Sequence, residues 1–103
     1  MSSHHEQLAA LLAAAMPEAG LSQRRVSIRT GITRSSVRQV CDPSLRLPSV
    51  RVLVAVAAEF RHDVGVRVLS LGLAAKAAEW GLETVPAVWD AASDHILLRR
   101  RQG

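Results

Sequence analysis

Cysteine is nearly absent. Cys41 is the single one in 103 residues, which excludes an intrachain disulfide and any thiolate-rich zinc site. It reads as a small, buried, apolar residue. Aromatic residues are scarce too: Phe60, Trp80 and Trp89, with no tyrosine. A stacking platform for single strands or RNA needs several exposed aromatic faces, so that class is set aside. No membrane span is expected, because a run such as Val52–Ala58 falls far short of about 20 apolar residues. Leu8–Ala15 has some of the look of a secretory segment, but no Lys or Arg precedes it and Glu6 does. A signal peptide is therefore rejected, and the default location is cytoplasmic.

Catalytic and metal-binding patterns are also missing. There is no Gly-x-Ser-x-Gly, no Cys/His pair at useful spacing and no phosphate-cradling glycine loop, so an enzyme is not expected. His4 and His5 read as a solvated terminus. His62 and His95 stand alone, so no metal and no cofactor is expected. Glu59, Asp63, Glu79 and Glu83 read as solvated faces.

What is present is a chain that can fold. Apolar residues make up 49% and charged residues 21%, which suits a domain with one modest core. Leu8, Leu11, Leu12, Ala15 and Met16 form a helical stripe. Ser3 and Glu6 have capping-box spacing, so that helix starts just after Ser3, and Pro17 and Gly20 stop it. Ser22 caps a second helix over 23–30, ended by Gly31. Thr33 caps a third over 34–41, broken by Asp42-Pro43. After a loop over 43–49, Ser49 caps a fourth over 50–60, with Leu53, Val56, Ala57 and Phe60 on one face.

The rest is less regular. Val64, Val66 and Val68 alternate with Gly65, Arg67 and Leu69, which suggests a short strand, although the same residues fit a continued helix. Leu71–Trp80 reads as a helix ending at Gly81. Beyond it, a terminal helix after Pro86 and a hairpin of 85–89 with 95–99 are both open. The expected fold class is mainly α, with residues 1–60 as one unit and 61–103 as a C-terminal extension of α or α/β structure.

Charge is concentrated. Thirteen Lys and Arg face nine Asp and Glu, for a net +4. Within residues 22–51 stand Arg24, Arg25, Arg29, Arg34, Arg38, Arg46 and Arg51 against Asp42 alone. This basic block coincides with two short helices that meet at a glycine. Val26 faces inward from the first, Ile32, Val37 and Val40 from the turn and the second, and Ser27 is small where they cross. Such a layout is that of a helix-turn-helix, whose second helix enters the major groove.

The stretch Leu-Ser-Gln-Arg-Arg-Val-Ser-Ile-Arg-Thr-Gly-Ile-Thr-Arg-Ser-Ser-Val-Arg-Gln-Val, residues 21–40, closely resembles the Cro/C1-type (lambda-repressor-like, XRE) helix-turn-helix family. Pro48-Ser49-Val50-Arg51-Val52-Leu53 through Ala57 and Phe60 resembles that family's fourth helix, so the likeness covers about residues 4–60. Departures are Thr30 in place of a larger apolar residue, Ser27 in place of alanine, Ile28 at a normally exposed position, and Asp42-Pro43 at the exit of the third helix.

The resemblance implies a lambda-repressor-like helical bundle that binds double-stranded DNA. It implies that Arg34, Ser35 and Gln39 face bases, since Arg suits guanine and Gln adenine in the major groove. Ser36 and Arg38 flank that face and are assigned to phosphates. Gln23, at the start of the preceding helix, resembles the family's phosphate-binding glutamine. Arg46 and Arg51 are candidate phosphate clamps, whereas Arg24, Arg25 and Arg29 read equally as solvated or DNA-facing. Arg99–Arg101 read as a mobile basic tail. The expected function is a transcriptional regulator, most simply a repressor, acting as a homodimer on a palindromic operator, with the dimer contact within 61–98. The alternative is a protein-interaction module on the same bundle.

Overall fold

The structure is a computed structural model and describes residues 2–81. Among these residues there are five helices and no strand: α1 (His4–Glu18), α2 (Gln23–Thr30), α3 (Arg34–Cys41), α4 (Val50–Ala57) and α5 (His62–Glu79). The mainly α expectation holds there. The alternatives for 85–99 and the basic tail lie outside the described residues.

Local chemistry sets the helix starts. Ser3 accepts from the Glu6 amide at 3.0 Å, and Glu6 reaches back to the Ser3 amide at 3.3 Å, a complete capping box at α1. Ser22 and Thr33 accept from the amides of Arg25 and Ser36, at 3.1 and 3.2 Å. Ser49 occupies the N-cap of α4 but makes no side-chain cap bond. α1 passes through Pro17 by one residue, and its end is closed by Leu21 N–H to Met16 C=O at 2.8 Å.

Burial corrects the strand suggested for 64–69, which is the first half of α5. Three valines in alternation favour a strand locally, but tertiary burial overrides such a weak preference. Among the residues the fold buries, Gly65, Val68, Leu69, Gly72 and Ala75 are spaced by three and four, which only a helix brings to one face, and Ala74 is buried beside them.

One core joins all five helices. Leu8 and Leu12 of α1, Val26 of α2, Val37 and Val40 of α3, Leu53 and Val56 of α4 and Val68 of α5 are all at most 2% exposed. Leu47 reaches the same core from the α3–α4 loop. α5 packs against both α1 and α4, α1 also against α3, and α2 against α3 and α4. The basic segment thus rests on a platform closed by α5.

Where α4 meets α5, Gly72 permits the close approach. A Cβ added there would lie 3.0 Å from both Cδ atoms of Leu53, a fully buried side chain. Gly72→Val is expected to destabilise the fold by about 1–3 kcal/mol through overpacking, despite the helical propensity it adds. In the Leu53→Ala background the same change should cost much less. Urea unfolding of the four proteins measures this non-additivity.

Candidate nucleic-acid interface

The geometry of the basic segment begins at the turn between α2 and α3. Gly31 ends α2 with φ +74° and donates its amide to Ser27 C=O at 3.0 Å. Nothing lies within 4 Å of where its Cβ would be, so the turn asks for a left-handed backbone rather than for room. Two hydroxyls hold the chain on either side. Thr30 donates to Val26 C=O at 2.7 Å and accepts from the Ile32 amide at 3.2 Å. Ser27 donates to Ile32 C=O at 2.5 Å. Ser27 and Thr30, two of the departures noted in the sequence, therefore fix the turn with hydrogen bonds.

The far end of α3 is held from α1. Val40 C=O lies in the last turn, where a helix leaves carbonyls without intrahelical donors. The Ser44 amide, which would continue the ladder to Val40, is instead donated to Asp42 Oδ1 at 2.9 Å. His5 fills the gap: its Nε2 donates to Val40 C=O at 3.1 Å, with the residue 8% exposed. The expectation of a solvated His5 is thus corrected. The signal was in the sequence, because stepping back three residues from Leu8 along the α1 stripe arrives at His5.

Between these two anchors, α3 turns Val37 and Val40 into the core and leaves Arg34, Ser35 and Arg38 exposed on its outer side. Gln39 and Ser36 are half-buried at the edges. Ser36 Oγ accepts from Thr33 Oγ1 at 3.0 Å, so it takes part in the cap. Gln23, Arg46 and Arg51 lie on the first turn of α2, the α3–α4 loop and the first turn of α4, and all three are exposed.

The arginines divide into two groups. Arg25 donates to Gly20 C=O at 3.2 Å, and Arg29 pairs with Glu59 at 2.5 Å. Glu59 is therefore not a solvated carboxylate, and its side chain is 15% exposed. Glu79 is corrected likewise: it accepts from the Leu47 amide at 3.1 Å and lies 3.9 Å from Lys76, which donates to Leu47 C=O at 3.4 Å. Arg24, Arg34, Arg38, Arg46 and Arg51, by contrast, form no ion pair among the described residues. Cys41 is half-buried beside Met16, and burial pushes its thiol above the ordinary value. Comparison with family models, with curated proteins and with solved structures returns no match for this chain.

Two expected outcomes follow from the α3 end. His5→Ala leaves the Val40 carbonyl without its donor, a loss of about 1–3 kcal/mol in urea unfolding, whereas His5→Gln should retain part of the bond. The second concerns Asp42, whose carboxyl is held below the ordinary 3.8 by the Ser44 hydroxyl and amide, with Arg38 and His5 adding to the effect. Its folded value lies below the unfolded one, so its contribution is complete above the unfolded value and fades as pH falls through the folded one. The melting-temperature gap between wild type and Asp42→Ala should be widest above about pH 5 and close in stronger acid.

Proposed function

We propose that this chain is a sequence-specific double-stranded DNA-binding regulator of the Cro/C1-type, lambda-repressor-like helix-turn-helix class, most simply a repressor that reads a two-fold operator as a homodimer. The observation that carries the reading is α3 itself. It is a short helix anchored at both ends, apolar on one side, with Arg34, Ser35 and Arg38 exposed on the other. The unpaired arginines around it supply the attraction that every duplex reader needs.

In this reading α3 lies in the major groove. Arg34 makes a bidentate contact to guanine, Gln39 reaches an adenine edge as it turns out of its half-buried position, and Ser35 lies beside Arg34. Arg38, Ser36, Arg46 and Arg51 meet phosphates, and Gln23 offers a free amide at the N-terminus of α2 to another. Arg25 and Arg29 are engaged within the fold and drop out of the contact set. One module reads few base pairs, so two copies span half-sites roughly 34 Å apart or a multiple of that.

The test is selection of bound duplexes from a random pool, followed by base-by-base preference matrices at one salt concentration. Arg34→Ala and Gln39→Ala should each relax one position per half-site, by about 1–3 kcal/mol of discrimination. Arg46→Ala and Arg51→Ala should weaken specific and random DNA alike and reduce the log–log salt slope by about 0.9 per lost phosphate contact. Val37→Ala, altered in the core, should lower the melting temperature and keep the parent matrix. Parent matrices from both Arg34→Ala and Gln39→Ala would overturn α3 as the reading helix. Salt-insensitive, negligible binding to any duplex would favour the interaction-module reading instead.

A further inference from the structure

α1 and α5 do not close over one another along their outer edges. A shallow groove runs between them, walled by Ala10, Leu11 and Ala14 on one side and Val66, Arg67 and Leu71 on the other. Ala10 and Ala14 are exposed, one turn apart on the same edge of α1. The α1 wall thus has small side chains where a second backbone can come close, with apolar floor residues beneath.

We infer that this groove is where a second copy of the chain docks, with the outer face of one α1 lying in the groove of the other. A two-fold contact requires one surface that complements itself, and this one does so in shape and in charge. The groove is a furrow bordered by its own ridge of small residues, so ridge and furrow exchange between copies. The charged residue in its wall is Arg67, which is exposed, whereas the carboxylates of α1, Glu6 and Glu18, are both exposed and its basic side chains are His4 and the buried His5 at its start. A second α1 therefore brings carboxylates toward a guanidinium and no arginine or lysine against it. The contact also leaves the outer side of α3 free, because the groove is lined from α1 and α5 and by no residue of α3. The inference deepens the two-fold part of the proposed function, while its test contains no DNA, so the two fail separately.

Sedimentation of the full chain over a concentration series tests it, alongside Ala14→Arg and Arg67→Glu, both at exposed positions. Wild type should be a dimer. Ala14→Arg, which sets a charge in the apolar contact, should raise the dissociation constant at least about tenfold, and Arg67→Glu should raise it to a lesser degree, both with unchanged helical circular dichroism. Should Ala14→Arg unfold, Ala10→Lys replaces it on the same edge. A dimer that persists in the folded Ala14→Arg or Ala10→Lys variant would place the contact elsewhere and overturn the inference. A wild-type monomer overturns it too. If that monomer's melting temperature falls on Ala14→Arg, the groove is covered by the chain's own C-terminal residues; if it does not, the groove belongs to another partner or to none.

Discussion

The three-residue turn between α2 and α3 is the constraint on which the outward face of α3 depends. Its glycine is required by a dihedral angle alone, since nothing crowds the missing side chain. A left-handed residue gives direction but little stiffness. Stiffness comes from Ser27 and Thr30, whose hydroxyls tie the end of α2 to the first residue beyond the glycine. Apolar residues at those positions would hold the same turn by packing. Here polar bonds do so, in a segment only half-buried, where water competes for them and each contributes about 0.5–1.5 kcal/mol.

The basic segment is less uniformly available than its composition suggests. Arg29 is drawn to Glu59, just beyond α4, and Arg25 closes back on the α1–α2 connection. These two act as braces for α2. The arginines left over come from α2, α3, the α3–α4 loop and α4. A long-range field needs charges that no neighbour cancels; Arg24, Arg34, Arg46 and Arg51 fit that description, while Arg38 is partly offset by Asp42.

Legibility in the sequence followed the range of the interaction. The helices α1 to α4, their caps at Ser3, Ser22 and Thr33 and the left-handed Gly31 depend on neighbours within a few positions, so spacing reveals them, although α4 stops at Ala57 rather than running on to residue 60. α5 was ambiguous because three valines pulled locally toward a strand while the burial pattern of Val68, Leu69, Gly72 and Ala75 is set by α1 and α4. Within the site, the outward place of Arg34, Ser35 and Gln39 is what the family resemblance implies; Arg34 and Ser35 are exposed, whereas Gln39 is half-buried. His5, Glu59 and Glu79 were misread because their partners stand 35, 30 and 32 residues away. A carboxylate has no signature of its own that distinguishes a solvated side chain from one holding a distant group, whereas for His5 the one cue is its place on the apolar stripe of α1.

The grip of Lys76 and Glu79 on Leu47 has a consequence for motion. These two side chains, from the final turn of α5, hold both the amide and the carbonyl of a loop residue. Helix ends fray more readily than helix middles, and groups tied to a fraying turn are released with it. The loop bearing Arg46 is thus tied to the end of α5 by two polar contacts as well as to the core by the buried Leu47 side chain. Steadying the last turn of α5 would hold the backbone of a loop far upstream in the chain, beyond what the buried side chain already does.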